Sequence, residues 1–274
     1  MKDLRVTLIQ TSLAWENKQA NLDMLSKKIG GIKEETDLVV LPEMFSTGFS
    51  MNSKELGEEM SGPTVSWLRK TALEKNAVIT GSFICAEGGN YFNRLVWMRP
   101  DGTSEIYDKR HLFRMGNEQD HYSAGKNRVI VELNGWKICP LVCYDLRFPV
   151  WCRNVSIEGS PFLLEKGSGD DAYDILLFIA NWPERRSYPW KILLQARAIE
   201  NLSYVIAVNR IGKDGNDVEH SGDSVALNFK GEGLTSIPSG LEHIQTLSLN
   251  YSTLTEFRKQ FPASKDSDSF SIRL

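Results

Sequence analysis

Nine short runs rich in branched and aromatic apolar residues recur along this chain, with polar or helix-patterned segments between them. They are Leu4 to Ile9, Leu38 to Leu41, Ala77 to Ile84, Leu95 to Met98, Val129 to Leu133, Ile138 to Val142, Ile175 to Ala180, Tyr204 to Val208 and Val225 to Phe229. Apolar runs of this length bounded by turn formers read as strands. Asp101-Gly102 and Asn134-Gly135 each separate two such runs. These pairs suit tight hairpin turns, so part of the sheet is antiparallel and the whole is mixed.

The segments between the runs supply covering layers. Asn17 to Glu35 carries Leu22, Leu25, Ile29 and Ile32 at intervals of three and four, which predicts an amphipathic helix with Lys27, Lys28 and Lys33 left for solvent. Ser61-Gly62-Pro63 marks a second helix start, with Pro63 at the first helical position and Val65, Leu68 and Ala72 on the buried side. Pro189 to Leu202 has little polar face, which predicts a helix buried on most sides, against the sheet or a second subunit. A homodimer or higher homo-oligomer is the corresponding expectation. Asn154 to Tyr173 and Arg210 to Gly222 read as loops, and neither looks like an interdomain linker, so residues 1–274 are expected to form a single α/β domain.

Composition narrows the class of function. A net charge of -3 without a Lys/Arg-dense run argues against a nucleic-acid partner and leaves a small neutral or anionic ligand open. The first apolar run, Leu4 to Ile9, is too short and too interrupted by charge to be a signal peptide or a membrane span, so a cytoplasmic protein without a membrane partner is expected. Cys85, Cys139, Cys143 and Cys152 have no C-x-x-C spacing. Neither a disulfide framework nor a zinc site is favoured, and reduced thiols are expected.

Of these cysteines only Cys143 ends an apolar run and passes straight into a polar turn, Cys143-Tyr144-Asp145-Leu146-Arg147. A strand end is where a fold can present a nucleophile, although an isolated cysteine also serves as a small buried hydrophobe. Cys139 and Cys85 read as core, and Cys152 beside Trp151 is ambiguous. Glu43 follows Leu38-Val39-Val40-Leu41-Pro42, on the rim of a strand, where it is either a positioned acid or a solvated loop residue. Lys109, in Ile106-Tyr107-Asp108-Lys109-Arg110-His111, is a surface lysine or a functional one. Of the histidines, His220 in its Gly/Asp-rich loop reads as exposed and His111 as a supporting group.

Together these segments say more than each alone. Pro-Glu after a strand, Asp-Lys-x-His-Leu-Phe and Cys-Tyr-Asp-x-Arg-Phe-Pro occur here in the chain order of the nitrilase superfamily, and the chain resembles its carbon-nitrogen hydrolases from Leu4 to about Phe229. The resemblance implies a four-layer α-β-β-α sandwich with mixed sheets. It implies Glu43 as general base, Cys143 as nucleophile and Lys109 as the cation beside the tetrahedral intermediate, with Glu118 matching the family's second glutamate. The backbone N–H of Tyr144 would complete the oxyanion site. The substrates are then a small-molecule amide and water, with no metal and no organic cofactor.

Finer motifs, Glu43 to Phe49, Ala180-Asn181-Trp182-Pro183, Ala196 to Asn201 and Gly222-Asp223-Ser224, look like the bacterial ω-amidase branch, which acts on 2-oxoglutaramate or 2-oxosuccinamate. A substrate carboxylate calls for arginine, and Arg147, Arg185 and Arg186 are candidates, with Phe45 and Trp182 as pocket walls. An N-carbamoyl amino acid amidohydrolase or a nitrile hydrolase would use the same residues; a non-catalytic binding or scaffold member is the alternative of another class. One departure from the family pattern is an insertion at about 155–171, read either as a flap near the nucleophile or as a tolerated surface loop.

Overall fold

The computed structural model describes residues 2–155 and 171–268, so all but the two ends of the expected insertion at 155–171 lies outside the described residues. Two sheets carry the fold. The first takes β1 (Leu4–Gln10), β2 (Leu38–Val40), β3 (Val78–Glu87), β4 (Asn90–Met98) and β5 (Ser104–Asp108). The second takes β6 (Val131–Leu133), β7 (Trp136–Val142), β8 (Ile175–Ala180) and β9 (Tyr204–Asn209). A small hairpin, β10 (Ile211–Lys213) and β11 (Glu219–Ser221), stands apart, β12 (Val225–Leu227) joins the second sheet, and β13 (His243–Leu249) the first. The orders are β13-β1-β2-β3-β4-β5 and β12-β9-β8-β7-β6.

Both hairpin turns expected from their dipeptides are present. Asp101-Gly102 joins β4 to β5 and Asn134-Gly135 joins β6 to β7, each pair antiparallel. Asn134 and Gly135 take φ of 53° and 88°, the left-handed pair that a tight hairpin needs. Elsewhere β1, β2 and β3 run parallel, as do β7, β8 and β9, so both sheets are mixed.

Side-chain alternation divides the core into layers. Val6, Leu8, Val40, Leu95 and Trp97 of the first sheet share a core with Ile138, Ile175, Leu177 and Ile206, which lie on one face of the second, while Ile9, Val39, Leu41, Ile79 and Val96 turn outward to the helical layer. That layer is α1 (Lys18–Gly30) and α3 (Pro63–Lys75), with the single turn α2 (Ser53–Leu56) between them in sequence. On the far side, after the short α4 (Pro149–Cys152), α5 (Ser187–Asn201) and α6 (Tyr251–Gln260) cover the second sheet. The result is an α-β-β-α sandwich.

Four local expectations are corrected. Helix α1 stops at Gly30 rather than Glu35, because Gly30-Gly31 costs about 1 kcal/mol per residue in a helix; Ile32 is buried from the loop beyond. The segment 210–222 contains the β10–β11 ladder, held by backbone pairing rather than by an apolar run. Helix α5 is two-faced: Trp190, Leu194 and Ala198 are buried, whereas Tyr188 is 76% and Ile199 53% exposed. Strand β13 and helix α6 extend the fold beyond Phe229. Strand β13 is an edge strand carrying Gln245, Thr246 and Ser248, so it shows no apolar run, yet it pairs with β1 along seven residues.

Candidate active site

Parallel strands deliver several polar side chains to one end of the sandwich. Glu43 follows β2, Cys143 follows β7 and Asn181 follows β8, all at carboxyl ends of parallel strands, where open α/β sheets form crevices. Lys109 follows β5, and its backbone N–H donates to the carbonyl of Asn93 on β4. The residues separated most widely in sequence therefore meet in the gap between the two sheets.

Their hydrogen bonds form one buried cluster. The Lys109 ammonium donates to Glu43 Oε1 at 2.9 Å and to Glu118 Oε2 at 2.9 Å and Oε1 at 3.1 Å. Asn93 Nδ2 donates to both acids, at 2.8 Å to Glu43 and 3.2 Å to Glu118. The backbone N–H of Asn181 reaches Glu43 Oε2 at 2.7 Å, and the backbone N–H of Phe113 donates to Glu118. Lys109, Glu43 and Glu118 are inaccessible to solvent, so among the described residues their charges are compensated by one another and by these dipoles.

The electrostatics follow from that burial. Desolvation alone would lower the Lys109 pKa, but the Glu118 and Glu43 carboxylates outweigh it and hold the ammonium above its ordinary range. Burial raises Glu118, against the pull of Lys109. Burial, then the negative charge of Glu43, pushes the Cys143 thiol well above its ordinary range, with Lys109 opposing. Burial and the neighbouring Glu43 thus both oppose ionisation of the Cys143 thiol.

Cys143 itself sits on a forced turn. It has φ of 47°, left-handed for a non-glycine residue, at the junction of β7 with the 3₁₀ turn Cys143–Arg147. Such a conformation costs about 1–2 kcal/mol and persists only where its surroundings impose it. Asp145 imposes it: one carboxylate oxygen accepts from Val142 N at 3.0 Å and Tyr107 Oη at 2.7 Å, the other from His111 N at 3.0 Å and Nδ1 at 2.7 Å. His111 is therefore a supporting group, stacked on Phe148 at 3.7 Å.

The thiol side chain, 8% exposed, opens into a cavity of about 220 Å³. Phe49, Phe113, Tyr144 and Trp182 are among its walls, and Arg147, Arg185 and Arg186 line it. The Arg147 guanidinium lies 5.1 Å above the Trp182 ring and that of Arg186 5.1 Å above Phe113. Burial, then Arg185 and Arg147, lowers the Arg186 pKa. Among the described residues none of the three arginines forms a salt bridge, and the one carboxylate residue that lines the cavity with them, Asp214, accepts from the backbone N–H groups of Asn216 and Val218.

A profile of the carbon-nitrogen hydrolase family matches residues 5–259. The chain belongs to the carbon-nitrogen hydrolase family. Among its relatives it is 42% identical over 274 residues to omega-amidase YafV of Escherichia coli K12, covering 99% of this chain and 100% of that one. It is 30% identical over 265 residues to the 2-oxoglutaramate amidase of Bacillus subtilis, with 95% and 96% covered. Its fold superposes with a TM-score of 0.94 on a carbon-nitrogen hydrolase superfamily protein from Xanthomonas campestris, 45% identical and covered completely in both chains, whose structure has an arsenic adduct in the active site. The match reaches past Phe229 into β13 and α6, further than the sequence motifs alone carried the resemblance.

This carbon-nitrogen hydrolase corrects two site expectations. Phe45 is not a pocket wall: it is fully buried, its ring fills the space a Cβ on Gly81 would need, at 2.6 Å, and it packs near Trp67. Phe49, four residues on, lines the cavity instead, with the Lys109 ammonium 5.0 Å from its centroid. His220 is not exposed but 4% accessible, and its Nδ1 lies 3.0 Å from the Val218 carbonyl and 3.2 Å from that of Gly212. Two carbonyls at Nδ1 require the proton there.

Three residues carry weight that sequence reasoning did not assign: Asn93, Asn181 and Asp145. Asn93 lies on β4 between Phe92 and Arg94, just before the apolar run Leu95 to Met98, and nothing in the sequence marks its burial or names its partners. Asn181 and Asp145 lie inside recognised motifs without their contacts being apparent.

The His220 environment has a measurable consequence. Burial and nearby Arg210 lower its pKa from 6.5 to about 4. The unfolded chain therefore binds the proton first as pH falls, so the stability contribution is full above pH 6.5 and is lost as pH drops toward 4. At pH 5 the loss amounts to about 2 kcal/mol. Urea unfolding at pH 7 and pH 5 should show this drop in the wild type and a smaller one in His220→Gln; identical drops would refute the buried neutral imidazole.

Proposed function

We propose that this carbon-nitrogen hydrolase is an ω-amidase, converting the terminal amide of a small 2-oxo acid, 2-oxoglutaramate or 2-oxosuccinamate, to the 2-oxo diacid and ammonia. The observation that carries the reading is a buried thiol, carboxylate and ammonium cluster opening into a cavity with three arginines that form no salt bridge among the described residues. The cluster suits acyl transfer, and the arginines suit the carboxylate at the substrate's other end. Two of the relatives above are by name an omega-amidase and a 2-oxoglutaramate amidase, in agreement with this reading.

In the proposed mechanism Glu43 takes the Cys143 proton as sulfur adds to the amide carbon. The electron pair of the carbonyl π bond moves to oxygen, where the Lys109 ammonium and the Tyr144 backbone N–H stabilise it. One such donor is worth about 3 kcal/mol of barrier. The C–N bond then breaks, its electron pair going to nitrogen, which takes the proton from Glu43 and leaves as ammonia. Water, deprotonated by Glu43, attacks the thioester and releases the acid and the thiol. Glu118 holds Lys109 in place. Phe113 fixes the orientation of Glu118 through its backbone, and Trp182 supports the Arg147 guanidinium.

We further propose one domain, working in the cytoplasm as a homodimer or higher homo-oligomer, in which the exposed Tyr188, Ile192 and Ile199 of α5 find cover. The substrate reading is tested by ammonia release from 2-oxoglutaramate alongside glutamine, an N-carbamoyl amino acid and a simple nitrile. Turnover restricted to one of the other three would replace the proposed substrate. Arg186→Met should raise KM for 2-oxoglutaramate by roughly 10- to 100-fold, the worth of one charge-assisted pair, relative to its effect on uncharged propionamide. Equal effects on both substrates would remove Arg186 from carboxylate binding.

A further inference from the structure

Several buried side-chain atoms lack a hydrogen-bond partner among the described residues, and only Asn181 Oδ1 belongs to a residue lining the Cys143 cavity. Asn181 is 5% exposed, so water provides little compensation. The orientation of its amide is dictated by chemistry. Nδ2 donates to the carbonyl oxygen of Glu43, and the reverse orientation would set two carbonyl oxygens against each other. Oδ1 is therefore the free atom, an acceptor in want of a donor. The same residue's backbone N–H holds Glu43 Oε2 at 2.7 Å, so this acceptor is tied to the proposed general base.

Such an acceptor distinguishes among the compounds a thiol can attack. A primary amide presents two N–H donors at the scissile nitrogen, while a nitrile or an ester presents none there. We propose that Asn181 Oδ1 accepts an N–H of the scissile amide and makes the site selective for unsubstituted amides. This deepens, and rests on, the amide-hydrolysis reading above. In the planar amide the nitrogen lone pair is delocalised toward the carbonyl. When Cys143 sulfur bonds to carbon the nitrogen becomes tetrahedral and its lone pair is localised. With one N–H anchored on Asn181, that lone pair is directed at protonated Glu43. The proton moves from Glu43 to nitrogen as the C–N pair leaves carbon, and neutral ammonia departs.

The test compares amide with ester, because an ester forms the same thioester without any N–H to anchor. Two matched pairs serve: 2-oxoglutaramate with the 5-methyl ester of 2-oxoglutarate, and propionamide with methyl propionate. Asn181→Ser and Asn181→Ala loosen Glu43 for every substrate, so the readout is the ratio of kcat/KM for amide to that for ester. That ratio is expected to fall at least about tenfold in both variants. An equal fall for amide and ester shows Asn181 to be a support for Glu43 alone and overturns the proposal. Should neither variant fold, a crystal structure of Cys143→Ala with bound amide decides: the substrate nitrogen within hydrogen-bond distance of Oδ1 supports it, and a nitrogen directed elsewhere overturns it. Wild type that ignores 2-oxoglutaramate but hydrolyses propionamide rejects the 2-oxo acid reading, while the second pair still reads Asn181. Wild type inactive on both amides rejects both.

Discussion

Cys143→Ala is expected to abolish ammonia release, by at least about 10⁴-fold in kcat, while leaving the protein folded. The loss is large because among the described residues no other cysteine can form the acyl intermediate: Cys85, Cys139 and Cys152 are fully buried, and none lines the cavity. Folding survives because the left-handed turn at residue 143 is held by Asp145 through Val142, Tyr107 and His111, not by the sulfur. Alanine meets the same φ restriction as cysteine. Cys85→Ala and Cys139→Ala should do the reverse, lowering thermal stability through lost packing while retaining turnover. Steady-state kinetics with thermal unfolding separates the cases; wild-type rates in Cys143→Ala would discard the mechanism.

The same variant should show a pH signature in stability. The folded-state pKa of Cys143 is raised above 9.0. The unfolded chain therefore loses this proton first, and the thiol's contribution, fully present below pH 9.0, disappears as pH rises through the folded value. Above about pH 9 the wild type should lose stability faster than Cys143→Ala.

Lys109→Met is expected to damage both chemistry and fold. Methionine fills the volume but leaves Glu43 and Glu118 buried without their shared cation, and removing one partner of a buried ion cluster costs about 3–5 kcal/mol. The protein relieves this by protonating one of the two acids, whose pKa is then raised in the folded state. Stability is thus best preserved below the ordinary carboxylate pKa and is lost as pH rises, so the deficit should be smaller at pH 5 than at pH 8. Activity should fall at least about 10³-fold, because the oxyanion loses its cationic partner. The double variant Lys109→Met/Glu118→Gln, with only one buried carboxylate, should regain much of the stability and none of the activity. A single variant as stable as wild type, or a double variant worse than the single, would contradict the buried-cluster energetics.

Much of the architecture is legible in local chemistry, and the misreadings share a cause. Strands β2, β7, β8 and β9 are continuous apolar runs because they are buried on both faces. Strands β10, β11 and β13 leave no such trace, because edge and hairpin strands are held by ladder hydrogen bonds that any side chain permits. Helix α5 reads as apolar on most sides, but which of its faces meets the sheet depends on how the helix lies, and Ile192 and Ile199 fall on the outer side. Phe45 and Phe49 are indistinguishable by neighbourhood in sequence. The turn after Glu43, with Met44 at φ of 43° and Gly48 at 77°, sends the first into the core and the second to the cavity.

By itself the sequence determined the alternation of strands and layer helices, the two Gly-containing hairpins, and the Glu43, Lys109 and Cys143 residues that tie the chain to its family. Periodicity and turn chemistry are local properties, read within a few residues, and the motifs are recognisable as strings. Only the tertiary structure decided the contact of Glu118 with Lys109, the bridge made by Asn93, the burial of His220 and the free acceptor on Asn181. Those contacts join residues as far apart as Lys109 and Glu43, 66 positions in sequence, or Asn181 and Glu43, 138 positions. They exist because β2, β5, β7 and β8 bring these residues together between the two sheets, where a buried polar atom must find its partner across space rather than along the chain.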